Sequence, residues 1–237
     1  MQNSIIEIEN LNLKIKDSDL LSGFSFQMKE RERVGITGPS GCGKSTLLKS
    51  IVKGFFPDGS HVDRFQKNRA LRYAYVPQTN GLLPWYSLRR NLDIFKRSEA
   101  LYIETLEQFK LTDCIETFPH QLSGGEYQRS ILASAIINQP DVFFSDEPLT
   151  ELDIVNKWKL LAFWSEKIES SNAALLLISH DIETLLYLCD RIVVLSDKPA
   201  NVLQEFEIDT PHVRDADFLV SESFIESKKQ LLGSIQR

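Results

Sequence analysis

The chain has 237 residues, 42% of them hydrophobic and 25% charged, with a net charge of −6. That is enough apolar material for one substantial core, and the acidic balance argues against nucleic acid as a partner, since such binders carry a basic face. No run approaches the roughly 18 apolar residues of a membrane span, and the first residues lack the basic start of a secretory signal. Three widely spaced cysteines, Cys42, Cys114 and Cys189, offer no metal-ligand pair. They suggest a reducing, cytoplasmic setting, with Cys114 and Cys189 as small buried hydrophobes.

The first thirty residues alternate apolar and polar in IIEIENLNLKI and LLSGFSFQM, which predicts two strands of a half-exposed antiparallel sheet. A short strand follows over Arg33 to Thr37 and runs into a glycine-rich loop, then a helix from about Lys44 to Lys53. Between about Thr79 and Gln139 the pattern becomes helical, with helices near Leu88–Phe95, Glu99–Phe109 and Gly124–Ile137. Buried strands are predicted at Val142–Glu147 and Ala174–His180, separated by a helix over Ile154–Glu169. A helix over Asp181–Leu188 and two closing strands, RIVVLS and NVLQEFEI, complete the pattern. Short apolar strands alternating with helices imply an α/β fold with a mainly parallel sheet. The expected organisation is one domain over residues 1–210, its core built from 1–78 and 139–210. Residues 79–138 form an inserted helical subdomain, and 211–237 a short polar tail with one helix.

Three motifs carry chemistry. Gly38-Pro39-Ser40-Gly41-Cys42-Gly43-Lys44-Ser45-Thr46 fits G-x-x-x-x-G-K-[ST] between a strand and a helix. Its glycines let backbone N–H groups curl around phosphate oxygens, and the helix N-terminus adds positive potential. Lys44 can reach the β- and γ-phosphates, and the Ser45 hydroxyl can ligate Mg²⁺. Asp146 and Glu147 end the strand VFFSDE, where a parallel sheet opens its crevice. Asp146 suits a metal held through its water shell, and Glu147 suits activation of water. The third motif, Leu122-Ser123-Gly124-Gly125-Glu126, opens an apolar helix. Ser123 and Glu126 have capping-box spacing, and the same open helix end is a second candidate anion site.

The phosphate loop, LSGGE and FFSDEP, in that order, resemble the ATPase subunits of ABC transporters, over about Ile5 to Asp209. The resemblance implies a P-loop (RecA-like) core with a small antiparallel β-subdomain and an inserted α-helical subdomain. It implies binding of ATP and Mg²⁺ and hydrolysis of ATP within a nucleotide-sandwich dimer, where Ser123, Gly124, Gly125 and Glu126 meet the nucleotide held by a second copy. Gln78 in YVPQ matches the family's metal-sensing glutamine and joins Ser45 and Asp146 as a metal residue. His180 matches its γ-phosphate histidine, and Asp153 in LTELD the aspartate linking the two sites. Departures also stand out: Ile15 falls where an adenine-stacking aromatic is usual, Arg31 where a glycine is, and Ser134 where an arginine is.

The stretch NGLLPWYSLRRNL and the C-terminal CDRIVVLSDKPANVLQEFEID resemble importers of the nitrate/sulfonate/taurine type, and relatives importing thiamine precursors share them. The resemblance therefore implies transmembrane permease subunits as partners, an extracytoplasmic solute-binding protein indirectly, and a place at the inner face of the membrane. Leu82-Leu83-Pro84-Trp85-Tyr86 is a candidate docking surface or, equally, a buried loop. Two other readings stay open: a cassette acting on nucleic acid or ribosomes, and a module that binds ATP without hydrolysing it.

Overall fold

The computed structural model describes residues 4–68, 70–149, 153–208, 214 and 218–235. Two sheets organise them. β1 (Ser4–Ile15) pairs antiparallel with β2 (Ser18–Lys29) on one side and with β4 (Arg64–Lys67) on the other. The second sheet has six strands in the order β5-β6-β7-β3-β8-β9. β5 (Tyr73–Val76), β6 (Val142–Asp146), β7 (Ala174–Ile178), β3 (Arg33–Thr37) and β8 (Arg191–Leu195) run parallel, and β9 (Val202–Glu207) closes the edge antiparallel to β8.

β3, β6 and β7 are buried along their whole length, as expected of parallel strands covered on both faces. Alternate residues feed two cores. Val142, Phe144, Leu176 and Ile178 pack with Leu47, Leu48 and Ile51 of α1 (Lys44–Lys53) and with the antiparallel sheet. Phe143, Leu175 and Leu177 pack on the opposite face with α4 (Gly124–Ile137), α5 (Ile154–Ser171) and α6 (Ile182–Leu188). Between β5 and β6 the described elements are all helical: α2 (Leu88–Asp93), α3 (Glu99–Gln108), a 3-10 turn at Pro119–Gln121, and α4.

Several expectations need correction. β4 and β5 are strands that the sequence pattern does not announce. Strand β6 ends at Asp146, so Glu147 lies just past it in a left-handed conformation (φ 52°). β7 ends at Ile178, two residues before His180. Cys189 is buried as anticipated, whereas Cys114 is only half-buried. The one helix expected in the polar tail is present as α7 (Glu222–Ile235), but its Phe224 and Leu231 belong to the main core. No described helix is long and apolar enough to cross a membrane.

Candidate functional site

β3 delivers the chain into the loop 38–43 at the C-terminal edge of the sheet, and α1 leads away from it. The loop depends on glycine at two close approaches. Gly38 (φ 149°) would bring a Cβ to 2.8 Å from the Leu195 carbonyl oxygen, and Gly43 (φ 112°) to 2.9 Å from Leu20 Cβ. Gly43 is also the N-cap of α1 and carries no side chain to bond the first turn, so those N–H groups face the loop. Lys44 is buried, and its Nζ donates to the Gly38 and Pro39 carbonyls at 2.8 Å each. A buried ammonium folded back onto the carbonyls of a glycine loop that opens a helix is the charge pattern that suits a phosphate chain.

One residue on, the Ser45 hydroxyl donates to Asp146 Oδ1 at 2.8 Å. This hydroxyl–carboxylate pair, at the junction of α1 and β6, is a hard-oxygen donor set that fits Mg²⁺. Asp146 also acts on Tyr75, whose phenol is pushed up to about 12 by burial and, secondarily, by the Asp146 charge.

Glu147 is where the separate motifs meet. Its backbone N–H donates to the Ile178 carbonyl at 2.9 Å, which anchors the left-handed turn to β7. Its Oε2 accepts from Gln78 Nε2 at 3.1 Å, and its Oε1 lies 2.9 Å from His180 Nε2. Three residues spread over a hundred positions of sequence therefore share one carboxylate at the sheet edge.

The other motif residues stand apart. Ser123 caps α4: its Oγ accepts from the Glu126 N–H at 3.3 Å, and Glu126 Oε2 accepts from the Ser123 N–H at 2.9 Å and hydroxyl at 2.8 Å. These bonds, the backbone one foremost, hold the Glu126 carboxyl below its ordinary range. Among the described residues, Ser123, Gly124, Gly125 and Glu126 make no hydrogen bond to the phosphate loop. Asp153 caps α5, accepting from Asn156 N–H and Nδ2 at 3.0 and 2.6 Å, while residues 150–152 of the same motif lie outside the description. Ile15 ends β1, 39% exposed. In the loop after Gln78, Leu82 is buried but Trp85 is 65% exposed against Tyr86.

Sequence reasoning missed two groups beside this site. Asp181, next to His180, caps α6 through the Glu183 N–H and also pairs with Lys157 of α5. An aspartate opening a predicted helix could have signalled the cap; nothing in the sequence signals its lysine. The second is Tyr75, on the unread strand β5.

The ABC transporter family model matches residues 21–150. An aliphatic sulfonates import ATP-binding protein of Bacillus cereus is 30% identical, over 92% of this chain and 89% of its own. A zinc import ATP-binding protein of Acinetobacter baylyi is 34% identical, over 81% of this chain and 74% of its own. A solved dimeric post-hydrolysis state of an ATP-binding cassette, bound to ADP and phosphate, superposes with a TM-score of 0.72 at 25% identity, covering 87% of this chain and all of that one. With its phosphate loop, acidic strand end and two-sheet core, the chain belongs to the ABC transporter family, as an ATP-binding cassette with ATPase activity.

Proposed function

We propose that this chain is the energy-coupling subunit of an importer. Two copies close on Mg-ATP and dock on separate transmembrane permease subunits at the inner face of the membrane, with a solute-binding protein acting outside it. The similarity to sulfonate-import subunits favours a small nitrate-, sulfonate- or taurine-like solute, or a thiamine-precursor-like one. Residues 79–138 act as the helical subdomain that carries the LSGGE segment. Exposed Trp85, beside the Gln78 loop, suits the permease contact.

The reaction follows from the groups at the sheet edge. Water attacks the γ-phosphorus of ATP in line, and the bond to the β–γ bridging oxygen breaks to leave ADP. Glu147 accepts the proton of that water, held at its post by Gln78 and His180. Lys44 exchanges its two carbonyl partners for β- and γ-phosphate oxygens. Ser45, Gln78 and Asp146 would hold Mg²⁺, which would supply positive charge toward the phosphate chain. Ser123, Gly124 and Gly125 act on the nucleotide of the other copy, and Asp153 links the two sites. Ile15 offers adenine an aliphatic surface in place of a stacking ring.

The observation that carries the reading is the convergence of Gln78 and His180 on Glu147, one residue past the metal carboxylate. Phosphate release by purified Lys44→Ala and Glu147→Gln proteins tests it. Each should lose at least about 100-fold in turnover, and hydrolysis at the unmutated rate in either would sink the mechanism. Glu147→Gln with Mg-ATP should also recover a multi-span permease from native membranes. Recovery of ribosomal proteins without a membrane chain would overturn the transport reading and leave the ATPase intact.

A further inference from the structure

We propose that Lys198, in the turn between β8 and β9, is a second nucleotide-binding lysine. Its ammonium adds to the positive potential at the phosphate loop and strengthens the hold on a nucleoside polyphosphate through charge alone. The inference rests on the ATP-binding reading and adds to it a residue outside all three motifs.

Sheet order brings this turn to the loop. β8 lies beside β3 and parallel to it, so the turn after β8 emerges next to residues 38–43. A Cβ on Gly38 would meet the Leu195 carbonyl oxygen at the end of β8, and a Cβ on Gly41 would lie 3.9 Å from Lys198 Nζ. The ammonium is thus no more than one carbon–carbon bond further from the Gly41 backbone itself. The turn is also fixed in place. The Ser196 N–H donates to the Asn201 carbonyl at 3.0 Å, and the Asn201 N–H to Ser196 Oγ at 3.1 Å. The Ala200 N–H donates to the Leu20 carbonyl of β2 at 2.8 Å, and the Ser22 N–H to the Ala200 carbonyl at 2.9 Å.

Lys44 folds back onto the carbonyls of Gly38 and Pro39, whereas Lys198 reaches the same loop from another element and stands at Gly41. Lys198 is exposed, so its ammonium keeps its hydration and acts across the loop as a point charge. Gly41 is three residues from Lys44, which puts a charge against it within about 10 Å of phosphates seated in the loop. In water, a unit charge about 8 to 10 Å from the roughly three charges of ADP changes its affinity roughly 5-fold at low salt. At about 1 M salt the screening length falls to about 3 Å and the effect vanishes.

The test is a calorimetric titration of ADP into wild-type, Lys198→Gln and Lys198→Arg proteins, in EDTA so that neither metal nor turnover takes part. At about 0.01 M salt, Lys198→Gln should bind ADP roughly 5-fold more weakly than wild type, and Lys198→Arg within about 2-fold of it. At about 1 M salt the three affinities should converge. Equal affinity of wild type and Lys198→Gln at low salt would overturn the role of Lys198 while leaving the ATPase reading in place. A deficit that persists at high salt, or that Lys198→Arg shares, would show that side-chain shape rather than charge is at work, and would also overturn it. Failure of the wild-type protein itself to bind ADP would remove both readings.

Discussion

Arg31 and Glu147 both occupy the left-handed region, at φ 64° and 52°, yet for different reasons. A side chain in that conformation costs about 1 kcal/mol or more. At Glu147 the backbone is held by its N–H bond to Ile178, and the strain turns the carboxylate out of the strand toward Gln78 and His180. Glycine there would relieve the strain and remove the carboxylate that the proposed mechanism uses as base. Arg31 sits in the exposed turn between β2 and β3, where the bonds belong to its neighbours: the Lys29 N–H donates to Glu32 Oε2 at 2.7 Å. Its departure from the family's glycine therefore brings strain without a visible return. Arg31→Gly should be neutral to stabilising by up to about 1 kcal/mol, limited by the extra freedom glycine has in the unfolded chain. Urea unfolding midpoints check this, and a clear loss of stability would show that the arginine side chain contributes to the turn.

At the scale of elements, α6 decides where His180 stands, because the helix begins two residues later. Asp181 ties its first turn together: one carboxylate oxygen accepts from the Glu183 N–H, the other from the Thr184 hydroxyl and from Lys157 of α5. Burial works against this carboxylate, but the bonds from Lys157 and Thr184 outweigh it and hold its pKa below the ordinary range. A depressed carboxylate stabilises the fold above the unfolded value near pH 4, and that contribution is lost as pH falls through the folded value. Lys157→Ala should therefore cost roughly 1 kcal/mol at neutral pH, a modest figure because solvent reaches Asp181. The gap between wild-type and variant midpoints should close as pH drops below about 4; a gap that persists there would mean that lysine packing, not charge, is the cause. The same scale shows what the sequence made legible. α1 and α4 could be read because a phosphate loop and a capping box announce them. β4 could not: its four residues, RFQK, include none that is fully buried, and the strand exists because β1 pairs with it. In β5 only alternate residues, Ala74 and Val76, are buried, so YAYV lacks the apolar run of its neighbour β6. α5 runs two residues past its expected end because Asn172 adopts the left-handed cap (φ 52°). Gln78, Glu147 and His180 were each visible as residues, but no spacing in one dimension states that a strand end, a loop and a second strand end meet.

For the whole molecule, the C-terminal segment grips α6 at both ends. Arg214, 3% exposed, donates from Nη1 to the Leu186 and Cys189 carbonyls at 2.9 and 2.7 Å, and from Nη2 to Asp190 at 2.9 Å. Burial lowers its pKa despite the Asp190 partner, a sign of how much desolvation the contact overcomes. At the other end, Lys228 of α7 pairs with Glu183 in the first turn of α6, while Phe224 and Leu231 are buried in the shared core. Much of what composition presents as a polar tail thus completes the fold around the helix that follows His180. Removing the buried guanidinium strands two backbone carbonyls and leaves a half-buried Asp190 without its partner, so Arg214→Met should cost about 2 kcal/mol in urea unfolding. Because α6 is then held from one end, ATP turnover should fall in the folded protein while ADP affinity, which the proposed mechanism assigns to the phosphate loop, stays the same. A loss below about 1 kcal/mol, the range of an exposed ion pair, would mean that the segment is an appendage. A matching drop in ADP affinity would mean that the damage spreads through the core to the loop and is not confined to α6.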